Sequence, residues 1–420
     1  MRTLSRRQFG AVVGASLLTV AAPRLCRGQA RPPVVVIGGG VGGATAARYL
    51  AIQGLHVTLI EPKDRYTTCF FSDLYLAGLR SLASLSHGYD ALSHKYGIEV
   101  VHASATRIDP AAKTVELGNG AKLSYERLVL APGIAFKFDG IDGYNEETTA
   151  IMPHAWNGGA QTELLRQKLE AMEDGGVFVI VVPPDPFRCP PGPYERASLV
   201  AYYFRQFKPK SRIMILDAKD SFKAQELFED AWARHYPGMI EWLPAQFTGG
   251  VKAVDPKTNT VITASASFPA SVVNVIPAQA AGQLAQESGL TDKSGWCPVD
   301  PTTFESTLQP GIHLVGDSII GGDMPKSAFS ANTQAKACAF AIAAALDNSP
   351  PSAPHLFNSC YTFLAPNDAF TNAINFKPVN GTFKTTEAFL NKVGESSEKR
   401  RQTAHEAVGW YEAFTRDVFG

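Results

Sequence analysis

The sequence predicts an α/β protein of two parallel-sheet units with a smaller C-terminal piece, and three observations carry that expectation. Val34-Val35-Val36-Ile37 is an uninterrupted apolar run of the kind a buried parallel strand needs; a glycine turn, a helical stretch through Leu50 and a second strand from His56 to Glu61 follow. The order recurs at Val177-Phe178-Val179-Ile180-Val181-Val182, with a helix over roughly 193–206 and a strand from Arg212 to Asp217. An alanine-rich helix from Ala331 to Leu346 then stops at Pro350-Pro351, and a separate piece follows, with little clear periodicity before a polar helix near 395–415. At 420 residues, 45% hydrophobic and 19% charged, the chain is soluble in composition and too long for one ordinary core. The expected division is 31–150 with 275–348 as one discontinuous unit, 151–274 as the second, and 349–420 as the third.

Residues 1–30 read as a segment apart. Ser5-Arg6-Arg7-Gln8-Phe9 precedes a mild apolar run from Gly10 to Pro23, and Ala30 closes it. This is the order of a signal peptide with the paired arginines of twin-arginine export, so a periplasmic destination is expected. Its removal takes five arginines and no acid, leaving 34 basic against 39 acidic residues, a net charge of −5. No basic patch speaks for nucleic acid, and no run approaches the ~20 apolar residues of a membrane span. Cys26 leaves as well, so Cys69, Cys189, Cys297, Cys338 and Cys360 remain, an odd number for an oxidising compartment.

The first turn is Gly38-Gly39-Gly40-Val41-Gly42-Gly43, which satisfies G-x-G-x-x-G through Gly38, Gly40 and Gly43. Alone it is a weak signal. Here it follows a strand, opens a helix and is answered by Glu61 at the end of the next strand, which is the context that brings a pyrophosphate to a helix N-terminus and a carboxylate to a ribose hydroxyl. Short strands over 98–128 surround the turn Gly118-Asn119-Gly120 and end in Leu128-Val129-Leu130-Ala131-Pro132-Gly133, a strand entering a tight turn at Ala131 and Gly133. Gly311-Ile312-His313-Leu314-Val315-Gly316-Asp317 matches the second signature of FAD proteins, with Gly316 in the turn and Asp317 able to accept a ribitol hydroxyl. The three pieces in this order predict FAD, held in two Rossmann-like dinucleotide-binding domains of the FAD/NAD(P) disulfide-reductase type plus a small C-terminal domain.

The second nucleotide fold has a different turn. Pro183 to Pro193 holds six prolines and one glycine, which cannot supply the close approach and free N–H groups that a pyrophosphate needs. Residues 250–276 again look strand-like. NAD(P)H is therefore not expected to reduce the flavin.

Cys189 occupies that turn and Cys338 lies on the alanine-rich helix. From spacing alone they are equally two halves of a disulfide beside the isoalloxazine or two unrelated structural cysteines. The glycine motif, Tyr66-Thr67-Thr68-Cys69, Cys189-Pro190-Pro191-Gly192-Pro193-Tyr194-Glu195, Gly316-Asp317 and Cys338 together resemble the flavoprotein subunit of flavocytochrome c sulfide dehydrogenase, across essentially all of the chain after residue 30. The resemblance implies FAD joined covalently to Cys69, a redox disulfide between Cys189 and Cys338, and Glu195 as the acid–base group. Cys297 and Cys360 are left over as a structural bridge. It further implies sulfide as substrate, attacking the disulfide to leave a persulfide and a thiolate, and a separate c-type cytochrome subunit as partner in a heterodimer, because the chain has no Cys-x-x-Cys-His.

Two other readings stand beside it. Sulfide:quinone oxidoreductases share the architecture but attach to membranes through amphipathic C-terminal helices, and the tail here, with Lys399-Arg400-Arg401-Gln402, has no obvious apolar face; a sulfur-oxidation accessory flavoprotein is a variant of the same reading. An electron-transfer module with a purely structural disulfide is the other. His154, His235 and His313 have no spacing that supports a role, and no metal site is expected.

Overall fold

The computed structural model describes residues 33–420, so the export segment, with Arg6, Arg7, Cys26 and Ala30, lies outside the described residues. In chain order the elements that position the site are β1 (Val34–Ile37), α1 (Val41–Ile52), β2 (Val57–Ile60), β3 (Glu99–Val101) and β4 (Arg127–Leu130). Next come β5 (Val177–Val182), α2 (Gly192–Phe207), β6 (Arg212–Asp217), β7 (Ile240–Leu243) and β8 (Val272–Val275). The rest are β9 (Ile312–Leu314), α3 (Ala328–Leu346), β10 (Leu356–Ala365), β11 (Asp368–Val379), β12 (Thr382–Leu390) and α4 (Ser397–Phe419).

The first sheet runs β9-β4-β1-β2-β3, all parallel, with Val34 opposite both Val57 and Arg127 and Ile312 opposite Leu128. Every residue of β1 and β2 is buried, as strands covered on both faces require. The late strand β9 completes this sheet, so the chain returns to its first unit after making the second. The second sheet, β7-β6-β5-β8, is also parallel, with Val177 opposite Arg212. Two Rossmann-like units of the FAD/NAD(P) disulfide-reductase type, with a further C-terminal domain, are thus the observed architecture.

The C-terminal piece is more regular than its sequence suggests. Strands β10, β11 and β12 form an antiparallel meander, with Leu356 opposite Phe376. Its apolar residues enter both cores: Phe376 and Phe383 join the first, Leu364 and Phe370 the second. Helix α4 also departs from expectation. It buries Thr403, Ala404, Ala407, Tyr411, Phe414 and Val418 at steps of one, three or four residues, so it does have an apolar stripe, spent on its own chain. Trp410 and Phe414 stack with Phe329, at centroid distances of 6.0 and 5.3 Å. At its end Asp417 accepts from Asn332 Nδ2 at 2.9 Å and Lys336 Nζ at 2.7 Å, and Arg48 donates to the carbonyls of Arg416 and Asp417. A cation on the last carbonyls is the favourable sign for a helix C-terminus. Among the described residues no helix is long and apolar enough to cross a membrane.

Candidate active site

One large cavity, about 1910 Å³ of empty space including its mouth, runs from the first glycine turn past the proline-rich turn to the C-terminal sheet. At the glycine end, Gly38 sits at φ +97°, and a Cβ there would lie 2.5 Å from the Ala131 carbonyl oxygen. A Cβ on Gly43 would fall 1.7 Å from the Gly38 carbonyl oxygen, so this glycine works behind the wall, letting α1 pack against its own turn. Gly40 caps α1 with no side chain spent on its N–H groups, and Gly40, Val41 and Gly42 line the cavity. Glu61 is fixed from below: its carboxylate oxygens accept from Gly39 N at 2.7 Å and Lys63 N at 3.0 Å while the group still faces the cavity. Ala131, Gly133 and Gly316 continue the wall.

Asp317 supplies the test of fit for the cofactor. Its Oδ1 is buried and has no hydrogen-bond partner among the described residues. Burial raises its carboxyl, against the pull of Arg188 and Lys326. A buried carboxylate oxygen without a donor is costly, and a ribitol hydroxyl at this wall would satisfy it. The glycine cradle, Glu61 and Asp317 therefore fit FAD. Cys69 faces the same cavity. Behind it Thr68 is hydrogen-bonded at 3.0 Å to Tyr411 on α4, whose hydroxyl also lies 3.1 Å from His87 Nε2, and Ser72 donates to the Cys69 carbonyl. The loop that carries Cys69 is thereby pinned from both sides.

At the other end β5 delivers the chain to Cys189. This residue has φ +58°, a conformation costly for a side chain with a Cβ, and two backbone bonds maintain it: its N–H donates to the Lys326 carbonyl at 2.8 Å and its carbonyl accepts from Gly192 at 2.9 Å. Gly192 must lack a Cβ, which would meet Trp156 at 2.7 Å and the Cys189 sulfur at 3.1 Å. Glu195 follows in the first turn of α2 and accepts from Phe363 N on β10 at 2.8 Å. Burial, then the charge of Asp73, pushes its carboxyl up to about 8, against the Phe363 bond and Arg196. Arg196 is buried with its donors spent on Asp73 at 2.9 Å, Asn274 at 2.8 Å and the Ala155 carbonyl at 2.8 Å. One buried cation thus faces two carboxylates, Asp73 and Glu195, and one of them keeps its proton.

The cysteines are where sequence and structure part. Cys189 and Cys69 line the cavity, and so does Cys360, carried in by β10. Cys338 does not. The cavity touches only the first turn of α3, at Ala328, Phe329 and Ala331, whereas Cys338 lies seven residues, about 10 Å, beyond the last of these, buried among the first core. The structure does not bring the expected Cys189–Cys338 pair together at this cavity, whereas Cys189 and Cys360 both line it, each as a free thiol. The expected Cys297–Cys360 bridge falls with it: Cys297 is buried in the first core, its N–H bonded to the Ser318 carbonyl, and both thiols are free. Sequence reasoning also missed Asp73, Arg196 and Asn358. The run Asn358-Ser359-Cys360-Tyr361-Thr362, polar yet strand-forming, was the available signal for a strand facing a polar site.

The proline-rich turn leaves the second nucleotide position closed on itself. Asp217, at the end of β6 where a ribose-binding acid would sit, accepts from the Tyr194 hydroxyl at 2.5 Å, Trp242 Nε1 at 3.0 Å and Lys219 Nζ at 2.7 Å. The Tyr194 ring stacks on Phe222 at 3.6 Å. His154, His235 and His313 lie off the cavity; His154 accepts from Trp156 N, and burial, then Arg196 and Arg188, lowers it to about 4. Among the described residues no cluster of His, Cys, Asp or Glu could hold a metal.

Comparison with known proteins agrees with this geometry. Residues 162–277 match the central domain of the sulfide dehydrogenase [flavocytochrome c] flavoprotein chain, 352–419 the flavin-binding domain of flavocytochrome c sulphide dehydrogenase, and 32–171 the pyridine nucleotide-disulphide oxidoreductases. The sulfide dehydrogenase [flavocytochrome c] flavoprotein chain of Chlorobaculum thiosulfatiphilum is 52% identical over 42 residues, covering 10% of this chain and 88% of that one. The mitochondrial sulfide:quinone oxidoreductase of Mus musculus is 24% identical over 307 residues, 70% of this chain, and the match spans 66% of the mouse protein, just under two thirds of its length. Among solved structures, the sulfide:quinone oxidoreductase of Aquifex aeolicus superposes with a TM-score of 0.70 at 20% identity, covering 92% of this chain and 91% of that one. At that identity the likeness establishes the fold.

Proposed function

We propose, for a chain that belongs to the flavocytochrome c sulfide dehydrogenase flavoprotein family, with sulfide:quinone oxidoreductases among its relatives, that it oxidises hydrosulfide at a Cys189–Cys360 pair. The observation that carries this reading is that Cys189, Cys360 and Glu195 share one cavity with Glu61 and Asp317. FAD held by the Gly38–Gly43 turn, Glu61 and Asp317 would supply a two-electron acceptor able to release electrons singly. With the pair oxidised, hydrosulfide attacks one sulfur; the old S–S bond breaks, a persulfide forms on one cysteine and the other leaves as thiolate. When the disulfide re-forms, the substrate sulfur has lost two electrons and its proton and departs as sulfane sulfur, carried off by further hydrosulfide as polysulfide. Glu195, protonated at neutral pH, has a proton to offer the thiolate formed in the first step and can recover it in the last.

Three finer elements rest on sequence. A covalent tether at Cys69 is supported by its place on the cavity wall. Periplasmic export is supported by the Arg6-Arg7 pattern, and a c-type cytochrome partner in a heterodimer by the lack of Cys-x-x-Cys-His in a chain that must pass electrons on. The proline-rich turn and the self-satisfied Asp217 argue against NADH as the source of electrons. Anaerobic titration tests the reading: sulfide bleaches the flavin and NADH does not, whereas bleaching by NADH alone overturns it. The sulfide:quinone relatives favour a second reading, with quinone as acceptor. Steady-state reduction of a soluble quinone without any reduction of cytochrome c would establish that reading instead. An electron-transfer module with a structural disulfide predicts no bleaching by sulfide.

A further inference from the structure

Burial raises both cavity thiols. Cys189 faces the carboxylates Glu195 and Asp73 and, with the opposite sign, the Arg188 guanidinium, and among the described residues no hydrogen-bond donor is placed on its sulfur. Cys360 has a built partner. Asn358 precedes it by two residues on β10, so both side chains project from the same face of the strand. The Asn358 amide nitrogen lies 3.4 Å and its carbonyl oxygen 3.5 Å from the Cys360 sulfur. The amide is itself held: its oxygen accepts from Ser327 at 2.6 Å and lies 3.3 Å from the Ser330 hydroxyl, and Ser327 caps the 19-residue helix α3. Such an amide accepts from a thiol and donates to a thiolate, so it serves both forms of the sulfur. Of the charged groups that bear on Cys360, Glu195 on α2 opposes a thiolate only once it has lost its proton, above about pH 8, and exposed Lys223, in the turn before the helix Gln225–His235, favours one.

We propose that Asn358 is a positioning residue that holds the Cys360 sulfur as an anion, so that Cys360 leaves and Cys189 receives the attack. The inference rests on the Cys189–Cys360 reading above. The step balances: hydrosulfide and the disulfide give a persulfide on Cys189 and a thiolate on Cys360, one S–S bond broken and one formed, with the negative charge moved to the sulfur that has a donor. Exchange favours the path whose leaving thiolate is the better stabilised.

Alkylation of the reduced holoprotein by iodoacetamide, followed as a function of pH and read at each cysteine by peptide mass, tests this. In the parent protein Cys360 reacts at lower pH than Cys189. Asn358→Asp keeps the shape, removes the donor and adds a negative charge; Asn358→Leu removes the donor without adding charge. Both move the Cys360 profile upward, the Leu variant slowing its alkylation about tenfold at neutral pH and the Asp variant more, with the Cys189 profile unmoved. Ser327→Ala frees the amide and removes the hydroxyl's own hydrogen bond to the Cys360 sulfur without altering the strand; it shifts the Cys360 profile in the same direction and covers the case in which a variant at 358 does not fold. An unmoved Cys360 profile, or equal shifts at both cysteines, overturns the role of Asn358. Mass mapping of the same protein before reduction separates the two claims: absence of a Cys189–Cys360 disulfide sinks the proposed function, while its presence with an unmoved profile sinks only this inference.

Discussion

Replacing Glu195 by Gln removes a titration while keeping the hydrogen bond from Phe363 N, because the amide oxygen takes the place of Oε1. Burial and the neighbouring Asp73 hold the wild-type proton to about pH 8 instead of the ordinary 4.5. Between those values the unfolded chain has lost the proton and the folded chain has kept it. The folded state binds more protons, so stability falls as pH rises through that window, by about 1.4 kcal/mol per pH unit and roughly 5 kcal/mol in all. Glutamine has no such dependence. The assay is urea unfolding of the two holoproteins from pH 5 to 8.5. The expected result is that Glu195→Gln gains on wild type steadily with pH, by several kcal/mol over the range. Parallel stability curves would refute the assignment of a buried, protonated Glu195.

Three further outcomes follow from named contacts. Gly43→Ala places a Cβ on the Gly38 carbonyl and forces the glycine turn apart, so purified protein should retain FAD at least about tenfold less well, read from the ratio of flavin to protein absorbance. Cys69→Ser should release all yellow colour to the supernatant on acid precipitation where the wild type keeps it in the pellet; colour lost equally from both would remove the tether. Lys223→Glu reverses an exposed charge at the cavity wall and should slow flavin reduction by hydrosulfide about three- to tenfold at low salt, with the difference closing at high salt.

Much of the fold was legible because both sheets are parallel and covered on two faces, which forces runs such as Val34–Ile37 and Val177–Val182 to be apolar without interruption. The glycine turn was legible for the same kind of reason: the close approaches at Gly38 and Gly43 admit no other residue. The C-terminal meander was not, because β10 carries Asn358, Ser359, Cys360 and Thr362 to the cavity wall and buries three of these polar residues between apolar positions, which blurs the period. The buried stripe of α4 was hidden by the charges at 398–401 on its first turns. Cys338 lies off the cavity because a helix that starts there carries its later turns away from it. Nothing in the spacing of Cys360 marks it as a cavity residue, because the strand that carries it in is brought there from 171 residues after Cys189. Cys189 and Glu195 were legible through the family resemblance of the segment Cys189 to Glu195; Asp73 and Arg196, 123 residues apart, meet only in the folded chain.

The central claim is that sulfide chemistry runs through the cysteine at 360 and not the one at 338. Anaerobic addition of sulfide to Cys360→Ser and Cys338→Ser, followed at the flavin absorbance band, tests it most directly. The account predicts that Cys338→Ser bleaches like the parent protein, with at most a loss of stability from its buried site, and that Cys360→Ser does not bleach. Bleaching that survives in Cys360→Ser and is abolished in Cys338→Ser would contradict it.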